Sequence, residues 1–271
     1  MAQIIKQERA LRTQEDLEQV AALFSRNLLQ NTQALEYLKE RGLPLDLVKQ
    51  GLIGFCPPYY GHWFDLIRGR ITVPIRDVHG RIVAFAGRQF EPMEAITERA
   101  FWESYGRDPD KAHKRFEKWK RGKWLNESGF SKSRHLYFLD RAKDAARERN
   151  YIVLVEGYFD TLVLAQNDVT NTAAVCGLAL TEYHVATIKR YCDHVVFILD
   201  PDEAGLRSLS KMREIAEAGR LKHHSVFLPN KLDPDEFVLK YGAKALKASI
   251  EKMILNDTKE LVVKLRNENK N

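Results

Sequence analysis

The chain has 271 residues, 43 Lys+Arg against 37 Asp+Glu (formal charge +6), and a hydrophobic fraction of 44%. That length exceeds one average domain, and the composition suits a soluble globular protein with a core of its own. Three cysteines, Cys56, Cys176 and Cys192, with no C-x-x-C spacing, exclude a disulfide framework and a cysteine-based zinc site. No apolar run reaches the roughly 18 residues of a membrane span, and Met1–Lys6 lacks the apolar core of a signal peptide. The expected setting is therefore cytoplasmic, with no membrane partner.

In chain order, Leu17, Val20, Ala21, Phe24 and Leu28 recur at helical spacing and predict an amphipathic helix over 13–29. Asn31 or Thr32 caps a second helix through Lys39, ended by Gly42. A short helix from Leu45 to Gln50 follows Pro44 and stops at Gly51. Two strand-like runs come next, Arg70–Ile75 and Arg81–Ala86, joined by hairpin turn chemistry at Asp77-Val78-His79-Gly80. Residues 91–122 are highly charged and helical in propensity, 123–126 read as a short strand, and 133–149 as a helix. From Tyr151 the rhythm becomes β-α-β-α. Strands are expected at 151–155, 172–176, 194–199 and 224–228, with helices at 159–166, 181–192 and 203–218, then shorter helices to the end. Such alternation implies an α/β fold with a parallel sheet.

Charge divides unevenly along the chain. Residues 1–150 hold 27 of the 43 basic and 20 of the 37 acidic residues, leaving 16 basic against 17 acidic in 151–271. A basic front half joined to a near-neutral half with acidic clusters suits a polyanion path leading to a cation site. The alternative is a solvated basic surface.

Each acidic cluster follows an apolar run. Glu156, with Gly157 and Asp160 behind it, follows Tyr151–Val155. Asp200 and Asp202 follow His194–Leu199, and Asp233 and Asp235 follow the last strand. Buried strands that end in carboxylates present them at the carboxyl edge of a sheet, where open α/β folds place ligands. Gly157 is expected to allow a sharp turn there. Carboxylates gathered at one edge repel one another unless a cation sits among them, and magnesium, held by a few carboxylates plus substrate phosphates, answers that need. A helix cap is the ordinary alternative for any one aspartate, most of all Asp235.

The Glu156-Gly157-Tyr158-Phe159-Asp160, Leu199-Asp200-Pro201-Asp202-Glu203-Ala204-Gly205 and Leu232–Phe237 series resembles the Toprim domain. The first half narrows this. Tyr37–Leu43, Gly54-Phe55, Arg70–Asp77, Gly80–Arg88, Lys123–Ser128, Lys132 and Leu136–Leu139 are similar, in order, to the catalytic core of bacterial DnaG-type primases. The resemblance implies a mixed α+β basic subdomain before a Toprim-type parallel sheet flanked by helices. Its divisions would be a helical extension at 1–30, the basic subdomain at 31–150, the Toprim domain at 151–242 and C-terminal helices at 243–271. The implied activity is template-directed synthesis of short RNA primers on single-stranded DNA from nucleoside triphosphates. Glu156, Asp200 and Asp202 would be catalytic magnesium ligands, with manganese as the alternative ion and no zinc, and Asp160, Asp233 and Asp235 would be further acidic positions. Arg76, Arg88, Lys123, Asn126 and Lys132 would meet nucleotide or template. Asn126 could equally serve a turn, and Arg88 a strand-end surface charge.

Rival readings are a Toprim-type nuclease using the same carboxylates and a nucleic-acid-binding accessory protein with a remnant metal site. The family usually adds a zinc ribbon and a helicase-binding domain, neither recognisable here. A separate helicase or zinc-bearing template-recognition protein is therefore an expected partner. Pro201 stands where the family has a small residue, and 91–122 is longer than the family loop. Its Lys111–Lys123 stretch holds seven basic residues against one acid, interleaved with Phe116 and Trp119. Those features suit single-strand backbone and base stacking, or a helix docked by its aromatic face with its charges solvated.

Overall fold

A computed structural model describes residues 13–58, 62–90, 108–177, 180–199, 203–229 and 232–268, with 62, 63, 65, 204 and 256–268 described as backbone alone. The chain forms two compact units, Met1–Arg76 with Arg81–Phe130, and Asp77–Gly80 with Ser131–Asn271. The compositional shift at residue 150 marks a different division. The helix just before it packs on the second unit's strands, so tertiary contact claims it for that unit.

The first unit opens with α1 (Gln14–Leu29), α2 (Thr32–Glu40) and α3 (Leu45–Lys49). Thr13 and Asp16 start α1 with a reciprocal capping box: Asp16 N–H donates to Thr13 Oγ1 at 3.2 Å and Thr13 N–H to Asp16 Oδ2 at 2.9 Å. Helix α2 uses Asn31 as its N-cap. An antiparallel sheet follows in the order β1 (Gly54–Cys56), β2 (Arg70–Arg76), β3 (Ile82–Arg88), β4 (Trp124–Asn126). Pro74 sits in β2 without cost to the ladder. It pairs with Phe85 on one side, while β1 reaches only as far as Thr72 on the other, so the missing N–H removes no bond to β1.

Helix α1 packs directly on β1. A Cβ at Gly54 would lie 2.6 Å from Phe24 Cβ, so the glycine is required by the close approach of helix and strand. Phe24 meets Phe64 and Phe85 edge-on, all ring centroids 5.5–5.8 Å apart, and this aromatic trio is the centre of that core. A 3-10 segment, His62–Ile67, which the sequence did not announce, brings Phe64 and Ile67 into it. The charged stretch folds, over its described part, into α4 (Pro109–Arg121).

The second unit carries a parallel sheet in the order β6-β5-β7-β8: β5 (Tyr151–Val155), β6 (Thr172–Ala174), β7 (His194–Phe197) and β8 (Lys222–Ser225). Strand β8 begins two residues before the expected run, because Lys222 and His223 pair with His194 and Val195. Helices α5 (Leu139–Arg149), α6 (Tyr158–Gln166), α7 (Glu182–Ile188), α8 (Glu203–Ala218), α9 (Pro234–Tyr241) and α10 (Ala243–Glu268) complete it. The expected helix over 133–149 is broken. Tyr137 instead joins the sheet edge, its N–H donating to Ala174 O at 2.9 Å and its carbonyl accepting from Ala174 N–H at 3.1 Å. Burial of Leu136, Tyr137 and Phe138 drives this, and Phe138 takes a left-handed φ of 69° to start α5. After the last strand the short helix α9 is as expected, whereas the 26-residue α10 stands where further short helices were expected. Among the described residues no helix is long and apolar enough to cross a membrane.

Candidate active site

In the second unit, Ile152–Val155 are wholly buried between β6 and β7, and the strand delivers Glu156 half-buried at its carboxyl end, with Oε1 shut off from solvent. Asp160 follows in the first turn of α6. Gly157 does not make the sharp turn expected of it. Its φ/ψ of −105°/157° is extended backbone open to any residue, but a Cβ there would collide with Asp160 Oδ2. The glycine leaves room for that carboxylate, which a larger residue would displace.

Strand β7 ends beside β5, with Ile198 N–H donating to Leu154 O at 3.0 Å. The described chain thus runs to Leu199 with Ile198 bonded to the strand that precedes Glu156. Asp200, Pro201 and Asp202 themselves lie outside the described residues. Among the described residues no three His, Cys, Asp or Glu side chains gather as metal ligands. The oxygen-only donor set of Glu156 and Asp160 nonetheless fits a hard divalent cation.

Helix α9 packs against α6 and so brings the third acidic pair toward the helix that carries Asp160. Asp233 is the N-cap of α9: its N–H donates to Glu236 Oε2 at 3.3 Å, half of a capping box. Asp235 is not the cap. It is 1% exposed, and its Oδ1 accepts the Glu236 N–H at 2.8 Å.

Lys132 reaches the same sheet edge, its Nζ 3.9 Å from where a Gly177 Cβ would stand, just past β6. Its 3-10 turn (Lys132–Arg134) is fastened to α7 by two contacts absent from the sequence reading. His184 Nε2 meets Lys132 O at 3.0 Å, and Thr181 Oγ1 donates to Ser133 O at 2.9 Å. Burial holds His184 down to about 4 from an ordinary 6.5. His135 and His194 are lowered in the same direction by the same cause. A folded-state histidine value below the unfolded one gives stability that is present above pH 6.5 and lost as pH falls. We therefore expect thermal stability to drop between pH 6.5 and 4, with His184 contributing about 3 kcal/mol at most. His184→Gln, which removes the titration, should flatten that limb in melts across pH; an unchanged limb would assign the acid sensitivity elsewhere.

The remaining expected contacts belong to the first unit. Arg76 directs its fork at Glu18, at 2.5 and 2.9 Å, tying β2 to α1 and lowering the Glu18 carboxyl. Arg88, half-buried, donates from Nε to Tyr37 Oη at 3.0 Å and lies 5.8 Å over the Trp124 ring. Lys123 is exposed, and Asn126 is half-buried at the end of β4. Asn126 pairs with Ala86, so it is a strand residue here and not a turn residue. Trp119 is 2% exposed and packs with Phe116, Leu66 and Leu125. Base stacking on Trp119 is thereby excluded, and the helix docks by its aromatic face.

One residue of consequence was missed. Arg70 has the largest fully buried side chain of the described residues. Its guanidinium donates to Gly122 O at 2.7 Å, more weakly to Lys123 O and Gly87 O at 3.4 and 3.5 Å, and also to Trp119 O, while stacking on the Trp119 ring. It caps the C-terminal carbonyls of α4 and joins them to β3. Burial lowers it to about 10, still far above neutrality, so the cation persists. Nothing in a lone Arg at the start of a strand signals this.

The Toprim-like family profile matches residues 153–238. The DNA primase of Aquifex aeolicus (strain VF5) is 26% identical over 260 residues, covering 86% of this chain and 48% of that protein. The chain thus spans about half the length of that relative. A DNA primase domain from Pseudomonas aeruginosa superposes with a TM-score of 0.67 at 28% identity, over 88% of this chain and 77% of that domain. The DnaG primase catalytic domain bound to ssDNA gives 0.66 and 28%, over 87% and 77%. A Toprim-like sheet with Glu156 at its carboxyl edge, and likeness extending through the basic unit before it, make this chain similar over most of its length to the catalytic core of DnaG-type primases.

Proposed function

We propose that this chain catalyses magnesium-dependent nucleotidyl transfer as a primase, building short RNA on a single-stranded DNA template from nucleoside triphosphates. The observation that carries the reading is Glu156, held at the end of the central strand β5 with Asp160 one turn behind it and β7 ending alongside. Glu156, Asp160 and, by the resemblance, Asp200 and Asp202 would hold magnesium. Bound there, the ion would make a 3′-hydroxyl more acidic and balance charge on departing pyrophosphate. The chain's own groups would do the rest: carboxylates fix the cation, and Lys132 at the same edge neutralises triphosphate charge. Arg88 and Lys123, from the basic unit, would hold template or nucleotide phosphate. Those contacts position backbone and do not read sequence.

Incubating the protein with single-stranded DNA, labelled ribonucleoside triphosphates and magnesium tests this directly. Labelled extension products are expected. Shortened DNA would instead indicate a nuclease, and retention without chemistry an accessory binder.

Gly157→Ala gives a finer test. Ordinary φ/ψ lets alanine fold there, but its methyl displaces the Asp160 carboxylate. The magnesium concentration for half-maximal incorporation should rise roughly ten- to hundredfold, the usual scale for disturbing a group that supports ligands. An unchanged magnesium titration in a folded variant would remove Asp160 from the site.

A further inference from the structure

The strongest unassigned feature is the outer face of α4. Lys111, Lys114, Lys118 and Arg121 follow at intervals of three, four and three residues and are all exposed. They form one stripe about 15 Å long at 1.5 Å per residue. The opposite face, Ala112 and Trp119 with Phe116 beside them, is packed away. Lys120 lies off the stripe.

Such a stripe is poor helix design when left to itself. Like charges three and four apart repel, and Lys111 and Lys114 stand toward the N-terminal end, where the helix dipole disfavours cations. Partial relief comes from Asp108, 2.5 Å from Lys111, and from Glu117, 2.7 Å from Arg121. These exposed pairs hold little. The helix is nevertheless firmly set. Asp108 Oδ1 caps its start by accepting the Lys111 N–H at 3.1 Å, Pro109 opens it, and buried Arg70 binds its final carbonyls to β3. A repelling row of cations on a helix pinned at both ends matches a row of anions outside it.

We propose that this stripe is a track for the phosphodiester backbone of single-stranded DNA, additional to Arg88 and Lys123, with Arg70 as its positioning residue. The choice of a single strand rests on the primase reading. With Trp119 buried and Phe116 packed against it on the opposite face, the stripe itself carries cations only, so it adds affinity without sequence preference.

The test measures binding of a fluorescent oligo(dT) to the full chain by anisotropy across a salt series, without nucleotides. Each phosphate contact adds about 0.7 to the steepness of the log–log salt dependence for a single strand. Replacing Lys114, Lys118 and Arg121 together with alanine should therefore flatten the slope by about 2. Alanine favours the helix, so circular dichroism should be unchanged. The matching control removes Lys240, Lys244 and Lys252 from the other unit and is expected to leave the slope within about 0.5. Arg70→Lys, which keeps charge but loses the fork, should flatten the slope by about 1 without removing a surface charge. An unchanged slope in the triple variant, or equal flattening in the control, overturns the proposal. The primase reading is judged separately by nucleotide incorporation in the unaltered chain. Absent incorporation with an altered slope would sink that reading and leave the track standing.

Discussion

Glu156→Ala is expected to abolish nucleotide incorporation while leaving the fold intact. The side chain closes no core: β5 buries Ile152–Val155, and Glu156 stands just past them at the sheet edge. If Glu156 holds the cation as proposed, its loss should cost several kcal/mol of transition-state charge stabilisation, at least about a hundredfold in rate. Relief of repulsion among neighbouring carboxylates should hold or slightly raise the melting temperature. Asp200→Ala should behave alike, and Asp202→Ala nearly so. Full incorporation by purified, folded Glu156→Ala would end the assignment of this edge as the reaction centre.

Arg70→Met is expected to cause the largest loss of stability of any single change considered. The substitution keeps bulk but strips the donors from Trp119 O, Gly122 O and Gly87 O, which stay in the interior. Bonds from a charged donor contribute about 1.5–3 kcal/mol each, and abandoned buried acceptors add a desolvation cost. A loss of about 4 kcal/mol follows, or roughly 10 °C in melting temperature for a unit of this size. Arg70→Lys should recover only part, since an ammonium cannot span carbonyls on a helix end and a strand at once. Hydrogen exchange should rise first in Pro109–Arg121. A melting temperature within about 2 °C of the unaltered protein would show that the carbonyls find other donors.

Much of the molecule was legible in the residues in order. The 3.6-residue recurrence from Leu17 to Leu28 gave α1 to within a residue of its limits, because a helix is specified by neighbours within one turn. The β-α alternation from Tyr151 gave the parallel sheet, because strands buried on both faces must be apolar throughout. Glu156 was readable for the same reason: a carboxylate directly after such a run has one place to go.

Tertiary structure decided what depends on residues distant in sequence. Tyr137 left its expected helix because Ala174, far along the chain, offered a strand edge. Gly157 answers to the position of Asp160's carboxylate, and its backbone angles would have accepted any residue. Asp235 is buried within α9, whereas Asp233, two residues earlier, is the cap. The basic helix turned its aromatic rings inward because Leu66 and Leu125 gave them a surface to cover. Arg70 reads as an ordinary surface cation in the sequence, yet it is sealed inside by carbonyls from residues 87 to 123. Local pattern alone determined the elements and the carboxylate edge, since both are set by residues a turn or a strand apart. Which charges face water and which hold the fold together was decided only when distant backbone closed around them, because burial and hydrogen-bond supply belong to the assembled core.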